Sequence, residues 1–101
     1  MESSNVAEKI EGRVVSVTDT GSLVTDITGE QLRDAPRDER VRVQCDEHFT
    51  LGLFSSDHAE PEMTFVAIIN DEQALQLEIV GENARIMLGI RVGDPVVVEW
   101  E

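Results

Sequence analysis

A chain of 101 residues with a formal net charge of −13 has room for one modest core and not for two. Its 41% hydrophobic content sets it apart from disordered chains. The excess of 21 acids over 8 bases repels phosphate backbones and anionic lipid, so neither nucleic acid nor a membrane is an expected partner. No stretch approaches the ~18 apolar residues of a membrane-crossing helix. The start, MESSNVAEKI, has no apolar signal core, and the single cysteine, Cys45, excludes an intramolecular disulfide. The cytoplasm is the expected compartment.

The first nine residues are polar and are expected to be flexible, with residues 10–101 forming one domain. Strand-like runs then occupy residues 12–18, 23–28, 40–45, 49–54, 64–70, 75–80 and 95–100. Period-two alternation puts Val41, Val43 and Cys45 on one face and Leu75, Leu77 and Ile79 on another. The unbroken apolar run 65–69 suits a strand covered on both sides. Seven short strands with one or two helical turns predict an all-β fold, a small antiparallel barrel. The hairpin after Cys45 is read with a three-residue turn, Asp46-Glu47-His48. That register pairs Cys45 with Phe49 and Val43 with Leu51, and so gathers the apolar residues on one face.

Two short helical pieces are expected between strands. Thr28 and Gln31 are spaced as a capping box, opening a turn through Leu32 that ends before Pro36. Asn83 caps 84–88, where Ala84, Met87 and Leu88 share a face and Gly89 forms the stop. The stretch 33–40, RDAPRDER, reads as a solvated linker.

Acids are unevenly placed. Between residues 43 and 84 there is no Lys or Arg, but there are nine acids: Asp46, Glu47, Asp57, Glu60, Glu62, Asp71, Glu72, Glu78 and Glu82. A solubilising surface explains them more simply than a cation-attracting face does. Cys45 and His48 have the spacing of half a metal site, but no second pair completes it, and a buried cysteine is the better reading. Acidic neighbours oppose a Cys45 thiolate. No serine-nucleophile motif, phosphate-cradling glycine loop or calcium loop occurs, and neither His48 nor His58 has a recognisable acid–base partner in the sequence. The chain is therefore expected to be non-catalytic, with no metal and no resident cofactor. Trp100 reads as a core plug or an interface anchor.

Several runs, in order, resemble one family. Thr18-Asp19-Thr20-Gly21-Ser22-Leu23-Val24-Thr25-Asp26-Ile27 is similar to a pattern D-x-F-G-N-L-V-T-N-I; Gly21, Leu23, Val24, Thr25 and Ile27 match it. Ala67-Ile68-Ile69-Asn70 is similar to a strand ending in asparagine and serine, with Asp71 in place of the serine. Leu77-Glu78-Ile79-Val80 resembles L-E-I-A, Glu82-Asn83-Ala84 resembles G-N-A, and Leu88-Gly89 with Val92-Gly93-Asp94-Pro95-Val96 resembles the closing turn. The family is that of the S-adenosylmethionine hydroxide adenosyltransferases, which includes chlorinating and fluorinating adenosyl enzymes, and the resemblance is to their C-terminal β-domain.

The resemblance implies a stand-alone barrel domain without the catalytic domain that precedes it in the family. It also implies half of a site for S-adenosylmethionine or adenosine, which the family forms between the N-terminal domain of one subunit and the C-terminal domain of a neighbour. The implied ligand positions are Thr18, Thr20, Ser22, Asn70, Asp71, Asn83 and Ala84. Thr20 replaces a ring that packs on adenine, Thr18 an aspartate and Ser22 an asparagine, while Glu82 replaces a glycine. A threonine cannot stack on a purine. The leading expectation is a module acting through protein contacts or homo-oligomerisation. The alternative is an adenosine- or S-adenosylmethionine-binding module, completing a hydrolase site with a separate catalytic chain.

Overall fold

The computed structural model describes residues 8–101. These residues form eight strands and one short helix: β1 Glu8–Val17, β2 Leu23–Thr28, β3 Arg42–Cys45, β4 His48–Leu51, β5 Phe54–Ser55, β6 Phe65–Ile69, β7 Ala74–Ile79, α1 Ala84–Leu88 and β8 Pro95–Trp100. Most of the stretch expected to be flexible, 1–9, lies outside the described residues. Its last two residues, Glu8 and Lys9, already pair with Trp100 and Glu99 of β8.

The strands form one curled sheet in the order β4-β3-β8-β1-β2-β7-β6-β5. β1 makes the corner. Its first part, from Glu8 to Arg13, pairs with β8; from Val14 onward, across an irregularity between Val14 and Ser16, it pairs with β2. Such bulges bend a strand and let a sheet close on itself. The curl brings the β4 end over the β6 end, where Thr50 Oγ1 donates to the Phe65 carbonyl at 2.8 Å. All the strand pairs are antiparallel except β5 with β6, which run parallel. The small all-β barrel expected from the alternation is therefore present, as a curled half-barrel with one parallel pair.

The core follows the period-two pattern. Val41, Val43 and Cys45 are fully buried, as are Leu75 and Leu77, and Ile79 nearly so. They meet Val14, Leu23, Ile27, Val96, Val98 and Trp100 in one cluster. Val66 and Ile68, on the opposite face of β6 from Ala67, are buried as well, so this strand is covered on both sides. Buried aliphatic side chains of this kind each contribute about 1.5–3 kcal/mol relative to exposure.

Three local expectations are corrected. The hairpin after Cys45 closes with the two residues Asp46-Glu47, pairing Cys45 with His48, Val43 with Thr50 and Gln44 with Phe49. Asp46 takes φ 57, a value aspartate tolerates. Phe49 and Leu51 then face outward, 52% and 46% exposed, and Phe49 stacks under the Arg42 guanidinium at 4.3 Å. The inward positions go to polar residues that find partners: Thr50 on Phe65, and His48 Nε2 on the Leu88 carbonyl at 3.0 Å. The run 49–54 is not one strand, because Gly52, at φ 94, breaks it into β4 and β5. The stretch 33–40 is more than a solvated linker: Ala35 is buried, and the Arg37 carbonyl accepts the Leu53 amide.

The capping box at Thr28 is present with both bonds, Thr28 N–H to Gln31 Oε1 and Gln31 N–H to Thr28 Oγ1. It opens a series of tight turns, not a helix. α1 has its expected Asn83 cap and its Gly89 stop at φ 69. Of the face expected to be shared by Ala84, Met87 and Leu88, Ala84 is buried and Leu88 partly so, while Met87 is half exposed. No described helix is long and apolar enough to cross a membrane.

Candidate functional site

The implied ligand positions fall into two places. The first is the tight turn between β1 and β2. Thr18 N–H donates to the Ser22 carbonyl, Gly21 N–H to the Thr18 carbonyl, and Ser22 N–H to Thr18 Oγ1 at 3.0 Å. Gly21 stands at φ 88, and a Cβ there would overlap the Asn83 side-chain amide. Glycine is therefore required twice, by its conformation and by its contact. The turn docks on the start of α1 through Arg85 N–H, which donates to the Gly21 carbonyl at 2.9 Å.

Opposite this turn, the chain leaves β7 and folds into the cap of α1. Together the two segments enclose an open groove of ≈ 560 Å³, lined by Thr20, Ser22 and residues 78–83. Thr20, Ser22 and Asn83 are thus brought together, with Thr18 directly behind. Ala84 is not part of this lining and is fully buried in the core.

The second place is the β6–β7 turn. Asn70 Oδ1 accepts the amides of Glu72 and Ala74, and Gln73 closes the turn at φ 64. Asp71 Oδ1 accepts from Ser56 Oγ at 2.9 Å. β7 separates this turn from the groove, so Asn70 and Asp71 do not join Thr20 and Ser22.

Several side chains at the groove are already engaged. Thr18 Oγ1 serves Ser22 N–H and lies 3.1 Å from Thr20 Oγ1. Asn83 Oδ1 caps Ile86 N–H at 2.9 Å. Ser22 differs. Only two buried residues among those described are polar, Thr25 and Ser22. Thr25 Oγ1 is fully used, donating to the Leu75 carbonyl and accepting Ile27 N–H. The Ser22 hydroxyl, on a residue 6% exposed, has no partner among the described residues.

The site also contains a pair that sequence reasoning missed. His58 Nε2 lies 3.3 Å from Glu78 Oε2, and both side chains are largely buried. His58 Nδ1 accepts Glu60 N–H, which places the ring proton on Nε2, directed at the carboxylate. Glu78 Oε1 accepts from Gln76 Nε2 at 3.2 Å. Twenty residues separate His58 from Glu78, and the residues between them give no spacing that would announce the contact.

Elsewhere, the Cys45 thiol is pushed up to about 12, first by burial and then by the charges of Asp94 and Asp46. A thiol so placed is inert as a nucleophile or metal ligand at neutral pH. Asp38, hydrogen-bonded to Arg40 at 2.9 Å, is held below the ordinary carboxylate range by that contact. No cluster of three potential metal ligands occurs among the described residues.

A curled eight-stranded sheet with a groove between its first turn and its helix cap defines a small β-barrel-like domain. Residues 12–97 match the family model described as the SAM hydroxide adenosyltransferase C-terminal domain, and the chain belongs to that family. In fold it is similar to an uncharacterized conserved protein from Thermotoga maritima, with a TM-score of 0.73 and 18% identity over 89% of this chain. It is also similar to a conserved hypothetical protein from Thermus thermophilus, with a TM-score of 0.68 and 24% identity over 87%. The chain spans 35% and 34% of those two longer proteins. No curated protein matches it.

Proposed function

We propose that this domain works without catalysis of its own, through contacts with other protein chains, on the frame of a SAM hydroxide adenosyltransferase C-terminal barrel. The observation that carries this reading is how the groove's polar groups are used. Thr18, Thr20 and Asn83 bond one another or nearby backbone, and no ring lies along the groove to stack on a purine. Thiol chemistry at Cys45 is closed by its burial. Outward-facing Phe49, Leu51, Ile86, Met87 and Val92 supply apolar area of the kind protein contacts use.

A second reading has one observation in its favour. Thr20, Ser22 and Asn83, three positions aligned with the family's ligand side, line the same open groove. On that reading the groove is the barrel's half of a site for adenosine or S-adenosylmethionine, completed by a catalytic domain on another chain. Calorimetry with each ligand, paired with sedimentation sizing, separates the two. The contact reading expects no saturable heat up to millimolar ligand and a species larger than a monomer, or a stable complex with a partner. Saturable heat from either ligand, with a strictly monomeric chain, reverses the order.

A further inference from the structure

We infer that the groove between the β1–β2 turn and the α1 cap receives a basic side chain, the ammonium of a lysine or the guanidinium of an arginine, from a partner protein. The inference rests on the protein-contact reading above and names the chemistry of that contact.

Two independent observations meet in this groove. The first is charge. Glu78 and Glu82 line it, and Glu62 lies at its rim, since a Cβ at Gly81 would stand 3.6 Å from Glu62 Oε2. No lysine or arginine lines the groove; Arg85, the nearest in sequence, lies with Arg91 along a separate cleft. Glu78 is held in place by His58 and Gln76, both neutral donors in this hydrogen-bond pattern, so its charge is oriented but not cancelled. Two carboxylate oxygens offer about four acceptor sites, and these two bonds leave the others open. The second observation is the buried Ser22 hydroxyl, which has no partner among the described residues and belongs to the same lining. A buried polar group without a partner costs about 1–3 kcal/mol, a cost that a bound donor would remove.

The walls suit the stem of such a side chain. Val80, half-buried, gives the lining an apolar wall between Glu78 and Glu82, while the Ile79 side chain belongs to the core beneath it. Lysine and arginine lay their methylenes on apolar surface while the charged end seeks acceptors. The groove is open along one side, as an entering side chain requires. The groove's lining holds no lysine or arginine, so the lining itself supplies no cation to its carboxylates.

The test is a 15N-resolved titration of the full chain with Nα-acetyl-argininamide, and with Nα-acetyl-citrullinamide as the neutral control. The expected result is saturable movement of the Ser22, Gly81, Glu82 and Asn83 amides by the arginine compound alone, weakening with added salt. Glu78→Gln, which keeps the shape and removes the charge, is expected to weaken binding about tenfold or more. If that variant does not fold, the exposed Glu82→Gln serves in its place, with a smaller loss in the same direction. Equal shifts from the citrulline compound, shifts centred on the Asp71–Glu72 turn, or no shifts at all overturn the inference. Sizing of the same sample keeps the two readings apart. An oligomer or complex that persists without any groove response removes the basic side chain and leaves the protein-contact reading standing.

Discussion

The β1–β2 turn and the β3–β4 hairpin are both tight connections in the same sheet, yet they are held in opposite ways. In the first, the backbone leads: Gly21 at φ 88 lies against the Asn83 side-chain amide, two of the loop's N–H groups are held by main-chain carbonyls, and the one side-chain bond to its backbone is Thr18 Oγ1 accepting Ser22 N–H. In the second, side chains decide. The inward positions hold His48 and Thr50, which are satisfied by the Leu88 and Phe65 carbonyls, and the apolar Phe49 and Leu51 are turned out. A connection fixed by backbone can change its side chains and keep its shape. This explains how Thr20 and Ser22 stand in a family-type turn with altered chemistry. A connection fixed by side-chain partners tolerates no such exchange at its inward positions.

The largest effect should come from attacking the backbone-built turn. Gly21→Ala adds a methyl group at a positive φ and into the Asn83 side chain. Left-handed strain together with overpacking is expected to cost about 3 kcal/mol or more. Urea unfolding measures it, and a loss well under about 1 kcal/mol would mean that side chains, not backbone, hold this turn. The Asn83 cap should suffer at the same time, because the two residues occupy one contact.

A smaller loss should follow from pH, through the hairpin's buried thiol. Folding raises Cys45 from 9.0 to about 12. The unfolded chain therefore releases its thiol proton first as pH rises. The protonated thiol's advantage is intact below pH 9.0 and is lost progressively between 9.0 and about 12. By about pH 10.5 the loss from this group amounts to about 2 kcal/mol. Cys45→Val should flatten the alkaline limb of the stability profile while leaving the neutral region within about 1.5 kcal/mol of the parent. In the native protein a thiol reagent near pH 8 should label Cys45 about a thousandfold more slowly than in urea, following the thiolate fraction. Rapid native labelling would place the thiol outside the core.

Much of this architecture can be read from alternation alone. β2 and β8 have the expected bounds, because each is an inward–outward run opened by a turn that contains glycine. The capping box and the Asn83 cap depend on contacts three residues apart and were equally legible. Of the positions singled out from the resemblance, Thr20, Ser22 and Asn83 line one groove. Asn70 and Asp71 share a stretch of family-like sequence with β7, but that strand holds them away from the turn that Thr20 occupies. Two other features could not be read. The His58–Glu78 pair exists only because residues 54–60 fold across the outer face of β6 and β7, with Phe54 packed edge-on against His58. The break at Gly52 depends on φ 94, and a run of apolar residues around a glycine gives no measure of that angle.

The finest test concerns register. Gathering Phe49 and Leu51 inward would satisfy hydrophobic pairing with Val43 and Cys45, but it would turn Thr50 away from Phe65 and His48 away from Leu88. In the observed register the outward ring has only the Arg42 guanidinium across its face. Phe49→Ser is accordingly expected to cost less than about 1 kcal/mol, the value of a half-exposed ring and an exposed cation–π contact. Thr50→Val should cost more, about 1–2 kcal/mol, because the Phe65 carbonyl at the seam loses its donor. The order of the two losses is the decisive quantity. A buried phenylalanine would cost about 3–5 kcal/mol on truncation, so a Phe49→Ser loss above that of Thr50→Val would restore the three-residue turn. If Phe49→Ser instead leaves folding intact and lowers the sedimentation coefficient of an assembled species, the outward face of β4 acts between chains.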